Sequence, residues 1–116
     1  MSESEITPKQ IEIRIGGEGE LSVVPTTLHA EPGERIRWTV SLREKQTGAL
    51  VVTFPNGTPF DYVQLVGEHG IAEADVRRTE NEVRGIYHYT VAAAVFDGDK
   101  PRIAAITGCP EIIVQR

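Results

Sequence analysis

The chain is predicted to be all-β, a two-sheet Greek-key β-sandwich, and three observations carry the prediction. Val, Ile and Thr number 33 against 14 Ala and Leu, a bias toward pleated, half-buried surfaces. Glycine (11) and proline (7) punctuate the chain along its length. Between them, apolar residues recur with period two over short runs spaced about 8–12 residues apart. At 116 residues there is room for one domain around one hydrophobic core. Residues 1–9 read as a flexible N-terminal tail and residues 10–116 as a single sandwich domain; an immunoglobulin-like sandwich is the alternative architecture.

Taken in order, Ile11, Ile13 and Ile15 alternate with Glu12 and Arg14, which gives a strand one dry and one wet face. Gly16-Gly17-Glu18-Gly19 turns the chain. Leu21 to Val24 is a short strand stopped by Pro25, and Leu28 to Ala30 carries the chain toward another sheet. Glu31-Pro32-Gly33-Glu34 is a turn, with Pro presetting φ and Gly free to take positive φ. Arg35 to Leu42 is the clearest strand: Ile36, Trp38, Val40 and Leu42 alternate with Arg35, Arg37, Thr39 and Ser41. After a turn at Lys45–Gly48, Ala49 to Phe54 is a continuous apolar run that reads as a strand buried on both faces. A loop from Pro55 to Pro59 leads into the weakly extended Phe60 to Val66. Ile71 to Arg78 has a helix-like composition, yet Ala72, Ala74 and Val76 keep period two; strand is preferred and helix is the alternative. Gly85 to Phe96 is a long strand with Tyr87, Tyr89 and Val91 on one face. Asp97-Gly98 signals a tight hairpin that returns through Ile103 to Ile106, and Glu111 to Gln115 closes the chain.

Composition narrows the classes of function. Seventeen acidic against 12 basic residues leave a net charge of −5, and a nucleic-acid partner needs the opposite surplus to meet phosphates. No apolar run approaches the roughly 18 residues of a membrane span, so no membrane association is expected. A single cysteine, Cys109, excludes an internal disulfide and suits a reducing compartment. The N-terminus Met1-Ser2-Glu3-Ser4-Glu5 lacks the basic-then-apolar order of a secretory signal. A cytoplasmic location is expected, with a signal peptide already removed as the alternative.

Three segments carry a resemblance. Glu31-Pro32-Gly33-Glu34-Arg35-Ile36-Arg37-Trp38 resembles the P-G-[DE]-x-[IV]-x-[WF] segment of cupredoxins, the small blue-copper sandwiches. Gly85-Ile86-Tyr87-His88-Tyr89-Thr90-Val91 is similar to their G-x-Y-x-[YF]-x-C strand, and Glu111-Ile112-Ile113-Val114 resembles their closing strand. In this order the pieces span most of residues 20–116. The resemblance implies a site of two imidazoles and a thiolate with a weak axial thioether. The first imidazole position holds Gly48 or Ala49, and the thiolate position holds Val91. The residues that follow, Ala92-Ala93-Ala94-Val95-Phe96, supply neither His nor Met; Met1 is the chain's one methionine. The resemblance therefore implies a cupredoxin-like domain that has lost copper, and no cofactor is expected.

The remaining candidates favour plain readings. Cys109, between Gly108 and Pro110, has no sequence neighbour to activate its thiol and reads as a small buried hydrophobe. His29, His69 and His88 lack the i, i+2 or i, i+4 spacing of paired ligands, although folding could still bring His69, His88 and Cys109 together. Asp97-Gly98-Asp99 lacks the longer ligand series of a calcium loop and reads as a solvated hairpin turn, and the spacing of Glu68, Glu73 and Asp75 gives no evidence for a glycosidase pair. Ser2, Ser4, Ser22 and Ser41 lack a nucleophile-elbow context; Gly16-Gly17-Glu18-Gly19 lacks the helix of a phosphate cradle. No enzyme is expected. Trp38, Tyr87 and Tyr89 read as core anchors.

The expected function is a non-enzymatic binding or assembly module acting through protein–protein interaction or self-association. The alternatives are an electron-transfer protein with a non-standard metal site and a small enzyme with a pocket at the sandwich end. Phe60, Tyr62 and Phe96, in or beside loops, are the expected partner-binding residues, placed where the Pro55–Tyr62 loop and the Ala92–Ile106 hairpin are expected to converge. The competing reading is that this hairpin plugs a vacated pocket and caps the core.

Overall fold

The computed structural model describes residues 7–78, 83–106 and 108–115. Within them run β1 (Lys9–Ile15), β2 (Leu21–Val24), β3 (Thr27–Ala30), β4 (Arg35–Val40), β5 (Gln46–Thr53) and β6 (Gln64–Gly67). They are followed by β7 (Ile71–Asp75), β8 (Gly85–His88), β9 (Thr90–Asp97), β10 (Lys100–Ala105) and β11 (Glu111–Val114). The first sheet has the order β2-β1-β4-β7, the second β10-β9-β5-β6 and the third β3-β11-β8. Neighbours are antiparallel except β1 with β4 and β3 with β11, which are parallel.

β8 and β9 are one run of chain interrupted at Tyr89, whose N–H leaves the ladder to donate to the Pro110 carbonyl at 3.0 Å. The second and third sheets therefore join end to end, and the first packs opposite them. This is an all-β sandwich whose second layer is divided into two hydrogen-bonded sheets.

The inner faces close one core. Ile11 and Ile13 of β1, Ile36 and Trp38 of β4, Leu50 and Val52 of β5 and Ile112 of β11 are all buried. At its centre four aromatic rings meet: Trp38 stands edge-on to Phe60 and Tyr89, both at 5.7 Å, and Phe54 lies 5.3 Å from Tyr89. Such edge contacts add about 0.5–1.5 kcal/mol each beyond the area buried. Trp38 and Tyr89 are core anchors, as the alternation of their strands predicts, and Tyr87 packs half-buried beside them.

The ambiguous stretch from Ile71 forms a strand, β7, paired with β4 from Thr39↔Ile71 to Arg35↔Asp75. Period two prevails over helical composition because β4 offers an open edge. Other boundaries shift. Lys9 belongs to β1, held by its Nζ donating to the His29 carbonyl at 2.7 Å and lying 3.2 Å from Glu34. The expected tail boundary at residue 9 is therefore not kept, and residues 1–6 lie outside the described residues. β4 ends at Val40; Val40 N–H donates to the Gly70 carbonyl and Ser41 N–H to that of Ile13, and Leu42, beyond these last bonds, falls outside the strand. The next turn comes early: Lys45 takes φ 70°, and the Gln46 side chain caps Arg43 N–H at 2.7 Å.

One expectation fails in an informative way. β5 is not buried on both faces. Its Gly48, Leu50 and Val52 are buried, while Ala49, Val51 and Thr53, on the other face, remain partly open.

Candidate interaction surface

The outer faces of the first and second sheets differ in kind. On the first sheet the outward positions are charged and paired. Arg35 grips Asp75 through Nε (2.7 Å) and a second nitrogen (3.2 Å), and Arg37 Nε meets Glu73 at 2.6 Å. Arg14 meets Glu12 at 2.8 Å. The Arg35 guanidinium holds the Asp75 carboxyl below the usual carboxylate range, and Arg14 does the same for Glu12. This face is built for water.

The outer face of the second sheet carries no ionisable side chain. Its register fixes four rungs. Pro101, Phe96 and Thr47 form the first rung, and Ile103, Ala94 and Ala49 the second. Ala105, Ala92, Val51 and Val66 form the third, and Thr90, Thr53 and Gln64 the fourth. Ile103 is 73% exposed and Val66 59%, so the face stands open. Soluble monomers rarely expose a contiguous apolar patch of more than a few hundred Å² unless it meets a partner. Isolated apolar residues elsewhere, such as Ile71 beside Thr39 on the charged sheet, are ordinary.

The three expected partner-binding residues do not gather at one end of the sandwich. Phe60 is fully buried in the aromatic core, its loop pinned by Arg77, whose N–H donates to the Pro59 carbonyl and whose side chain donates to that of Phe60. Its ring therefore presents nothing to a partner. Tyr62 is 62% exposed and precedes β6. Phe96 is half-buried on the outer face beside Pro101. The expected convergence is contradicted by register: Phe96 pairs with Thr47, whereas the Pro55–Tyr62 loop leaves β5 after Thr53, which pairs with Thr90. Six residues of strand, roughly 20 Å, separate the two places. The uncharged face lies between them, and sequence reasoning missed it. Its signal was the absence of charge at alternate positions of β5, β9 and β10.

The histidines and Cys109 are dispersed. His88 Nε2 lies 3.1 Å from Glu111, which also accepts from the Thr27 hydroxyl, on the third sheet. His69 sits in the turn between β6 and β7, and Cys109 precedes β11. Among the described residues no three His, Cys, Asp or Glu side chains are grouped to hold a metal ion.

The positions to which the resemblance assigns copper ligands do not fit the ion. Val91 faces the core opposite Val52, whereas Ala49 faces outward opposite Ala94, three rungs away. Gly48 faces inward but opposite Val95, four rungs away. Ligands at 48 or 49 and at 91 could not share a metal.

Cys109 corrects a further expectation: it is exposed rather than buried, on the rim of a shallow groove lined by Leu21, Val23, Ile106 and Pro110. A thiol reagent should therefore label it in the native protein about as fast as in the unfolded chain. Cys109→Ser should leave stability within about 0.5 kcal/mol of wild type. Slow native labelling would show the thiol to be sequestered.

At the β9–β10 end, between the layers, a cleft of about 580 Å³ is lined by Arg14, Arg43 and Arg102 together with Glu44, Asp97 and Ser41. Its charges are largely engaged: Arg102 donates to the Gly16 carbonyl at 2.9 Å, Asp97 accepts from Gln46 at 2.9 Å, and Arg14 pairs with Glu12. Ser41 has no histidine beside it here, and Glu12, held ionised by Arg14, is a weak base. This chemistry gives the enzyme reading no support.

Neither a scan against protein-family models nor a search of curated proteins returned a match. Among the described residues no helix is long and apolar enough to cross a membrane.

Proposed function

We propose that this protein is a non-enzymatic, cytoplasmic interaction module, a cupredoxin-like Greek-key sandwich without copper chemistry, that docks a protein through the outer face of its second sheet. One observation carries the reading. β5 and β9 have the composition of strands covered on both sides, and among the described residues only their inner side is covered. The face gathers Ile103, Val66, Phe96, Pro101 and its alanines into one contiguous uncharged surface, whereas Tyr62, Ile71 and Ile86 are exposed at separate places. Phe96 and Ile103 supply its largest side chains, and Phe96 is the expected hot spot.

The reading is tested by capturing a partner and comparing variants. Phe96→Ala should lose about 2 kcal/mol or more of binding with a small change in melting temperature, because Phe96 lies outside the core. Tyr62→Ala should bind like wild type. Loss of binding in Tyr62→Ala with retention in Phe96→Ala would move the site to the loop end. As to copper, adding Cu(II) should produce no intense thiolate-to-copper charge-transfer band in the visible; a stoichiometric band would contradict the copper-free reading.

A further inference from the structure

We infer that the occupant of this face is a second copy of the chain, packed face to face through the same sheet. The inference rests on the docking reading above and adds the partner. Charge is the first argument. Two copies of a chain carrying −5 repel one another wherever acidic side chains are displayed. The outer face of the second sheet displays none, so two copies meet there without burying an unpaired charge. A partner with a charged surface would have to leave its own charges against apolar atoms, whereas a copy presents the same uncharged rungs.

Relief is the second argument. Phe96 and Ile103 stand high on the face, and Ala49, Ala92 and Ala94 leave a low band between β10 and β5. Consider a two-fold axis lying in the interface and crossing β9 at Ala94. It sets Phe96 of each copy over Ala92 of the other, large against small, and brings the two copies of Ile103, on the rung of Ala94, into an apolar contact with each other. Sheets stacked with their strands roughly aligned adopt this kind of interdigitation. Edge-to-edge extension is disfavoured at β10, which opens with Lys100 and Pro101, two residues that blunt strand edges.

Area sets the strength. Strands of six, eight, eight and four residues, about 4.8 Å apart, give a face of about 400 Å² per copy, about 800 Å² for the pair. That lies at the low end of interface sizes, where weak and transient associations fall. The dimer is accordingly a weak, reversible association rather than an obligate one.

Sedimentation velocity over a concentration series from low micromolar to near millimolar tests this. The wild type should shift from monomer to dimer. Ala94→Arg, on the axis and facing solvent in the monomer, should stay monomeric throughout with an unchanged melting temperature. A second variant, Ala94→Cys in a Cys109→Ser background, should crosslink to dimer with a short bismaleimide, because the two copies of residue 94 face each other. A wild type that remains monomeric at the highest concentration overturns the inference, as does an Ala94→Arg variant that dimerises like wild type. If the wild type is monomeric and Ala94→Arg nevertheless abolishes capture of a different protein, the second copy is the wrong occupant and the docking reading stands. If Ala94→Arg affects neither dimerisation nor capture, both fail.

Discussion

Phe60→Ala should cost roughly 3–5 kcal/mol of folding free energy, the range for deleting a buried aromatic side chain. The ring is fully buried and touches Trp38 and Phe54 at centroid distances of 5.7 and 5.5 Å. Neither neighbour can collapse into the space without leaving its own packing. Its loop is anchored on both sides, by Thr58 Oγ1 accepting from Phe60 N–H at 3.0 Å and by Arg77 donating to the Phe60 carbonyl at 3.1 Å. The backbone therefore stays in place and a cavity remains. Urea denaturation should show a lower midpoint with an unchanged slope. The molecules that remain folded should associate normally, since the residue lies inside. A loss below about 1 kcal/mol would mean that the ring is not a structural element of the core.

The second large effect concerns Tyr89 and alkaline pH. The Tyr89 hydroxyl and the Trp38 indole N–H are both buried without a well-formed hydrogen bond. Burial pushes the Tyr89 phenol up to about 12, with Trp38 acting in the opposite direction. Below about pH 10 the phenol is neutral in both the folded and the unfolded chain, so its contribution is fully present. Between about pH 10 and 12 the unfolded chain releases the proton and the folded chain keeps it. Stability therefore falls through that window, by about 2–3 kcal/mol at its end. Tyr89→Phe should remove this component, so the gap between variant and wild type should widen with pH. At neutral pH the variant should already be more stable by about 1 kcal/mol or more, because an unsatisfied buried hydroxyl is gone. Parallel pH profiles for the two proteins would show that Tyr89 ionises freely in the native state.

How far the sequence disclosed the structure depended on whether a signal was local. The alternations in Ile11–Ile15 and Ile36–Val40, the Pro32-Gly33 turn and the hairpin after Asp97 rest on side-chain periodicity and turn chemistry, and all of them are found. The hairpin's central glycine, Gly98, takes φ 65°, as a two-residue connection requires. The division of the second layer was not visible, because the break at Tyr89 depends on a carbonyl from Pro110, 21 positions along the chain.

The candidate site was half legible for the same reason. The sequence marks Phe60, Tyr62 and Phe96 as aromatics in or beside loops, but proximity to loops groups them wrongly, since strand register decides which of them share a face. Phe60 followed its neighbours into the core. The run from Ala49 to Phe54 has the composition of a strand covered on both faces, yet Ala49, Val51 and Thr53 stay partly open, because composition does not say whether a second layer is present. The second face is closed by no described part of this chain.

The central claim, that the outer face of the second sheet is the docking surface, is tested most directly by side-chain footprinting with hydroxyl radicals. The protein is labelled once when dilute and once in its assembled state, at concentrations where it self-associates or with a captured partner. Ile103, 73% exposed, and Val66, 59% exposed, lie on the docking face; Ile71, 50% exposed, and Ile86, 59% exposed, lie on the first and third sheets. Assembly should protect Ile103 and Val66 and leave Ile71 and Ile86 as reactive as before. Protection of Ile71 or Ile86 with Ile103 and Val66 unchanged would contradict the account.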